Sequence, residues 1–167
     1  MKIRASVLIW AISLALFIGS VFLLGASLPE RVATHFGASG HPNGWMIRSS
    51  YLLFSILFGI GFSSFVTGIS YLARFLPPST LNVPHSQYWR SPEHFGEACD
   101  FLFLHAFWFG TLVSVWLTAL HYLIVQANRT VPVVLNSARM GALTVVFLAG
   151  TAVWAAVLIR HFAHPSK

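Results

Sequence analysis

The chain has 167 residues, enough for one domain, of which only 8% are charged and 56% are hydrophobic. Soluble domains carry roughly 25% charged residues, so this composition and a mean hydropathy of +0.73 exclude an ordinary water-soluble domain and make lipid the expected solvent. The net charge of +6 does not point to nucleic acid, because the ten Lys and Arg are scattered singly between apolar segments without a basic stripe; they are expected to set orientation and meet anionic headgroups.

A helical span needs about 20 mainly apolar residues to cross about 30 Å of hydrocarbon. The first segment that qualifies is 6–27. Lys2 and Arg4 precede it and Gly25-Ala26-Ser27 loosely resembles a cleavage site, but its apolar stretch exceeds the roughly 7 to 15 residues of a signal sequence. An uncleaved span follows. Ala11, Ala15 and Gly19 recur at four-residue spacing, which predicts close helix approach along that stripe.

Residues 28–50 form the next loop. Gly37, Gly40 and Gly44 suit tight reversals, and Trp45 suits the headgroup level just before the second span. His35 and His41 are imidazoles without a thiolate, and Glu30 is the only acid near them. That makes an incomplete metal site, yet His35 is the residue of this loop nominated to touch a ligand.

The second span, 51–75, carries the small-residue stripe Ser55, Gly59, Ser63 and Thr67. In the loop 76–98, Tyr88 and Trp89 read as an interfacial anchor. Ser91-Pro92-Glu93 reads as a helix start, with a hydroxyl cap, proline at the first position and an acid facing the dipole, running straight into the third span. Glu93, Glu97 and Asp100, three of the four carboxylates, share one helical face beside His94. This acidic cluster suits a divalent cation or a docking partner, while pairing with the helix N-terminus, Arg74 and Arg90 explains it more simply.

The third span, 101–125, contains His105 and His121. Sixteen residues at about 100° each put them about 160° apart, so the helix is predicted not to turn both inward. His105 is expected on the side of Asp100 and Trp108, and His121 near the first loop and Asn128. The fourth span is 140–159. With four spans both termini share a side, and six basic residues (Lys2, Arg4, Arg74, Arg90, Arg160, Lys167) against four (Arg31, Arg48, Arg129, Arg139) predict cytoplasmic termini. The loop 28–50 then faces outward. Cys99 is the single cysteine, which excludes an intrachain disulfide, and it has no activating base beside it. No nucleophile elbow, zinc-protease motif or phosphate loop is present, which disfavours an enzyme. Nor does the chain show the broken helices and inverted repeat of a secondary transporter.

L-P-E-R-V-A-T-H-F-G-A-S-G-H-P-N-G-W, followed by N-V-P-H-S-Q-Y-W-R-S-P-E-H and by a segment ending at Asn128, resembles the bacterial membrane family called domain of unknown function 1648. That module also occurs in SdpI-type immunity proteins. The resemblance implies Pro29, His35, Phe36, Gly40, Asn82, Pro84, Tyr88, Trp89, Pro92, Glu93, His121 and Asn128 as signature positions; Asn43 stands where an acid is common, and Ser86 and His94 where basic residues are.

The expectation is thus an all-α, integral membrane four-helix bundle, a single domain over 1–167, multi-pass in the bacterial plasma (inner) membrane. Its ligand-binding candidates are His35, Gly40, His121 and Asn128, and its inner acidic cluster is Glu93, His94, Glu97 and Asp100. The function that the resemblance implies is SdpI-like immunity to a membrane-active peptide by non-catalytic binding. The alternatives are a metal-dependent membrane enzyme or ion-handling protein, with a divalent metal at His35 and His121, and an accessory subunit of a membrane complex.

Overall fold

The computed structural model describes residues 5–164; Lys2, Arg4 and Lys167, which enter the orientation count, lie outside them. Four helices are long and apolar enough to cross a membrane: α1 (Ala5–Gly25), α2 (Arg48–Leu72), α4 (Phe95–Asn128) and α5 (Ser137–Ala163). The expected all-α membrane bundle is present. An antiparallel hairpin, β1 (Arg31–Phe36) with β2 (Pro42–Ile47), joins α1 to α2, and a single turn, α3 (Ser86–Trp89), precedes α4. At 1.5 Å per residue α4 measures about 51 Å, well beyond the hydrocarbon thickness of about 30 Å, so it is long enough to project past the hydrocarbon.

Helix α4 is the centre of the bundle, with α1, α2 and α5 packed on it. The stripe expected on α2 does face inward: Gly59, Ser63 and Thr67 are buried. A Cβ on Gly59 would overlap the Phe17 ring of α1. Ser63 accepts from Trp10 Nε1 at 2.6 Å and lies against Gly110, where Trp10 leaves no room for a side chain. The stripe expected on α1 does not face inward. Ser13, Phe17 and Val21 are buried, whereas Ala11 and Ala15 are exposed and Gly19 has open space around it. Lipid and protein interior are equally apolar, so hydropathy alone does not reveal which face of such a helix is covered.

Both histidines of α4 are turned into protein, against the expectation from their angular separation. His105 is 7% exposed and His121 2% exposed. The reason is the central place of α4: His105 faces α5, bonded to the Trp154 carbonyl at 2.9 Å, and His121 faces α2. A helix covered on several sides has no single inward face.

The hairpin folds onto the C-terminal end of α4. Asn128 accepts from the Ala33 backbone N–H at 2.8 Å and donates to the Ala33 carbonyl at 2.9 Å, so one amide side chain substitutes for a third strand along the edge of β1. At the hairpin tip Gly40 has φ of +82°. Its carbonyl accepts from Leu135 N at 2.9 Å, and a Cβ there would collide with the Leu135 carbonyl.

At the opposite end Trp89, 1% exposed, donates to the Phe162 carbonyl at 2.9 Å. It is a core residue joining α3 to α5, not the interfacial anchor expected. The helix start at Ser91 is also displaced. Residues 91–94 form a turn in which the Ser91 carbonyl accepts from His94 N and Phe95 N, and regular α4 begins at Phe95, from which it does run unbroken through the span.

Replacing Asn128 by Ala strands the Ala33 N–H and C=O, each at about 1–3 kcal/mol for a buried unsatisfied group. Amide hydrogen exchange is expected to accelerate at Ala33 while helical circular dichroism is retained; unchanged protection at Ala33 would refute this role of Asn128.

Candidate functional site

Where the hairpin meets α2 and α4 lies an open-sided cavity of about 400 Å³, with Phe17, Met46, Phe54, Phe58, Trp116, Leu117, Leu120 and Ile124 as its apolar wall. Thr34, His35, Tyr51, Ser55 and His121 supply its polar groups. A mostly apolar cavity of this size with a few polar groups has the general form of a small-ligand site. Exposed Phe54 and Phe58 place part of its rim on the lipid-facing surface of α2, while exposed His35 stands at the hairpin side.

Three elements position the polar groups. Tyr51, in the first turn of α2, has its hydroxyl 2.7 Å from His121 Nδ1, with the rings stacked at 5.7 Å. When the phenol donates to Nδ1, the imidazole carries its proton on Nε2, which is buried and has no hydrogen-bond partner among the described residues. Thus α2 and α4 meet at one buried imidazole. His35 arrives on β1 just after a register shift in the ladder, and such a bulge re-aims a side chain. Opposite it is Gly44, where any Cβ would crowd that of His35 at 2.8 Å. The His35 ring is held through Nδ1 by the Asn43 side-chain oxygen, which leaves Nε2 as an acceptor.

Of the four ligand-contact candidates, His35 and His121 thus line one cavity. Gly40 and Asn128 are not among its lining residues; they hold the hairpin, as described above. No three His, Cys, Asp or Glu side chains among the described residues are grouped so as to hold a metal ion. His35 and His121 have no carboxylate with them in the cavity, so this donor set does not fit a divalent metal.

The acidic cluster at the other end is divided. Asp100 pairs with Arg74 at 3.2 Å, and Glu97 lies 3.9 Å from His94. Glu93 sits in the turn before α4, where its own backbone N–H and the Ser91 hydroxyl hold its carboxyl below the usual carboxylate range. A shared helical face does not form, because the helix begins only at Phe95. Glu97 and Asp100 instead line an open cavity of about 610 Å³ with His105, Trp108 and His161. The expected neighbourhood of His105, Asp100 and Trp108 is therefore present.

The residues that sequence reasoning missed are Tyr51 and the aromatic wall at the hairpin end, and Arg160, His161 and His164 at the other. A tyrosine at the start of a span carries the signal of an interfacial aromatic, and nothing in the chain's order links it to a histidine seventy residues later.

Tyr51→Phe leaves the buried His121 Nδ1 without its donor and should lower stability by about 1–3 kcal/mol. Adding His121→Leu should recover part of that loss, because removing both partners of a buried hydrogen bond costs less than removing one. Thermal unfolding in detergent measures both steps; a double variant less stable than the single one would contradict the pairing.

Residues 8–59 match the family model described as Domain of unknown function (DUF1648). The match covers most of α1, the hairpin and the first half of α2, and hence His35, Tyr51 and much of the cavity wall; it stops at Gly59, before His121 and Asn128. No curated protein and no solved structure matches the chain. The stretch that is similar to this family model builds one side of the cavity.

Proposed function

We propose that this is a non-catalytic binding protein of the bacterial plasma membrane, which protects its cell by capturing an apolar segment of a membrane-active peptide, as SdpI-type immunity proteins are implied to do. The observation that carries this reading is the hairpin-end cavity: His35 and the Tyr51–His121 pair share one apolar chamber. Its rim reaches both the lipid-facing surface of α2 and the exposed hairpin, so a membrane-bound peptide meets it without leaving the bilayer. Aromatic anchors in a desolvated pocket are the usual carriers of binding energy. The histidines then serve as hydrogen-bonding groups. The metal-dependent alternative draws less support, since two imidazoles without a carboxylate leave the coordination incomplete. On this reading the hairpin faces outward, in keeping with the excess of basic residues toward the termini.

Cells producing the protein should survive a membrane-active peptide that kills cells lacking it. His35→Ala should weaken that protection by about thirtyfold in effective dose if His35 is a hot-spot contact. Ser55→Leu, which places a larger side chain in the cavity, should do the same with normal membrane insertion. Full protection by both variants would remove the cavity from the mechanism. A reporter inserted at Ser39 should score as external; a cytoplasmic score would reverse the orientation.

A further inference from the structure

The far end of the bundle carries a groove separate from the hairpin-end cavity. Two open cavities adjoin in the groove between the first turns of α4 and the last turns of α5. Their shared wall is the Phe101 ring stacked on His161, with ring centres 3.5 Å apart and planes within 7°. On one side of this wall stand Glu97 and Asp100, with Trp108 and Leu104 toward the membrane interior. On the other, in a cavity of about 590 Å³, stand Arg160 and His164, with Val157 one turn further in.

The charges on the two sides are opposite and unequally committed. Asp100 is already paired with Arg74. Glu97 has the long contact to His94 and a favourable charge interaction with His161; it makes no ion pair shorter than 3.9 Å among the described residues and is exposed. Arg160 is exposed and has no salt bridge among the described residues. The groove thus offers one carboxylate and one guanidinium on either side of an aromatic ridge near the helix ends, with apolar Leu104 and Trp108 on the carboxylate side and Val157 on the guanidinium side.

From this juxtaposition we propose that the groove binds a phospholipid whose headgroup carries a primary ammonium, of the phosphatidylethanolamine type. Arg160 takes the phosphate, for which a guanidinium offers two parallel donors, and His164 stands beside it. The ammonium crosses the Phe101–His161 ridge to Glu97, with the exposed Trp108 ring nearby for cation–π contact. The acyl chains lie along Leu104, Trp108 and Val157. A primary ammonium donates hydrogen bonds to the carboxylate, whereas a quaternary one cannot, and a glycerol headgroup brings no cation at all. The site therefore discriminates by headgroup, which a merely apolar helix groove does not.

The test uses the full chain, reconstituted with equal amounts of phosphatidylethanolamine, phosphatidylcholine and phosphatidylglycerol, with retained lipid counted by native mass spectrometry after gentle delipidation. Wild type should retain phosphatidylethanolamine over each of the others by up to about fivefold, the worth of a good exposed ion pair. Glu97→Gln should bring that ratio to about one, and Arg160→Gln should lower retention of all three lipids alike. Both positions are exposed, so helical circular dichroism should be unchanged. Glu93→Gln, a charge-matched change outside the groove, should keep the wild-type preference. Equal retention of the three lipids by wild type would overturn the proposal, as would a preference that survives Glu97→Gln or is lost equally in Glu93→Gln.

Discussion

In lipid no water completes the hydrogen bonds of an irregular backbone, so every polar group there needs a partner from the protein. Backbone buried in protein is under the same demand, and at Ala33, 0% exposed, the hairpin between α1 and α2 meets it through Asn128. One side chain bonds both backbone groups of Ala33 and also donates to its own helix at Ile124. The rest of this end follows. With β1 fixed to the end of α4, Val32 and Leu28 reach the core beside Tyr51, Ile124 and Val125, His35 is carried to the cavity, and the tip at Gly40 holds the segment leading into α5.

The central place of α4 gives the protein its two-ended character. Its N-terminal turns, with α3 and the end of α5, build an aromatic cluster around Trp89 and Phe162, and its C-terminal turns, with α1, α2 and the hairpin, build the histidine-lined cavity. Polar contacts between helices tie the middle together, from Trp10 to Ser63 across α1 and α2 and from His105 and Trp154 to each other's carbonyls across α4 and α5. In membranes such bonds average about 0.6 kcal/mol each. Close packing of Phe17 on Gly59 and of Trp10 on Gly110 contributes the contact area that they orient.

The histidines show how position sets role. His105 bonds a backbone carbonyl through Nε2, whereas His121 bonds the Tyr51 phenol through Nδ1 and leaves its buried Nε2 without a hydrogen-bond partner among the described residues. In His35 one nitrogen is occupied by Asn43 and the other remains an acceptor at the cavity edge. Both cavity histidines therefore have hydrogen-bonding capacity for a ligand.

The sequence by itself determined the solvent, the four spans and the stripe of small residues on α2, because each is written in local composition: run length against bilayer thickness, and glycine or serine at helical spacing. It also made the 28–50 segment an ordered, turn-rich loop, although it did not reveal strands in it. Their six residues each are short, and the alternation that marks a strand is blurred where the register shifts beside His35. What the tertiary structure alone decided was partnership. Whether α1 presents Ala11 or Phe17 inward, whether α4 has one covered face or several, and whether Trp89 meets lipid or Phe162 depend on neighbours distant in the chain. In a medium as apolar as the protein's own interior, hydrophobicity marks neither face as the buried one; only packing shape and the pairing of a few polar groups distinguish them.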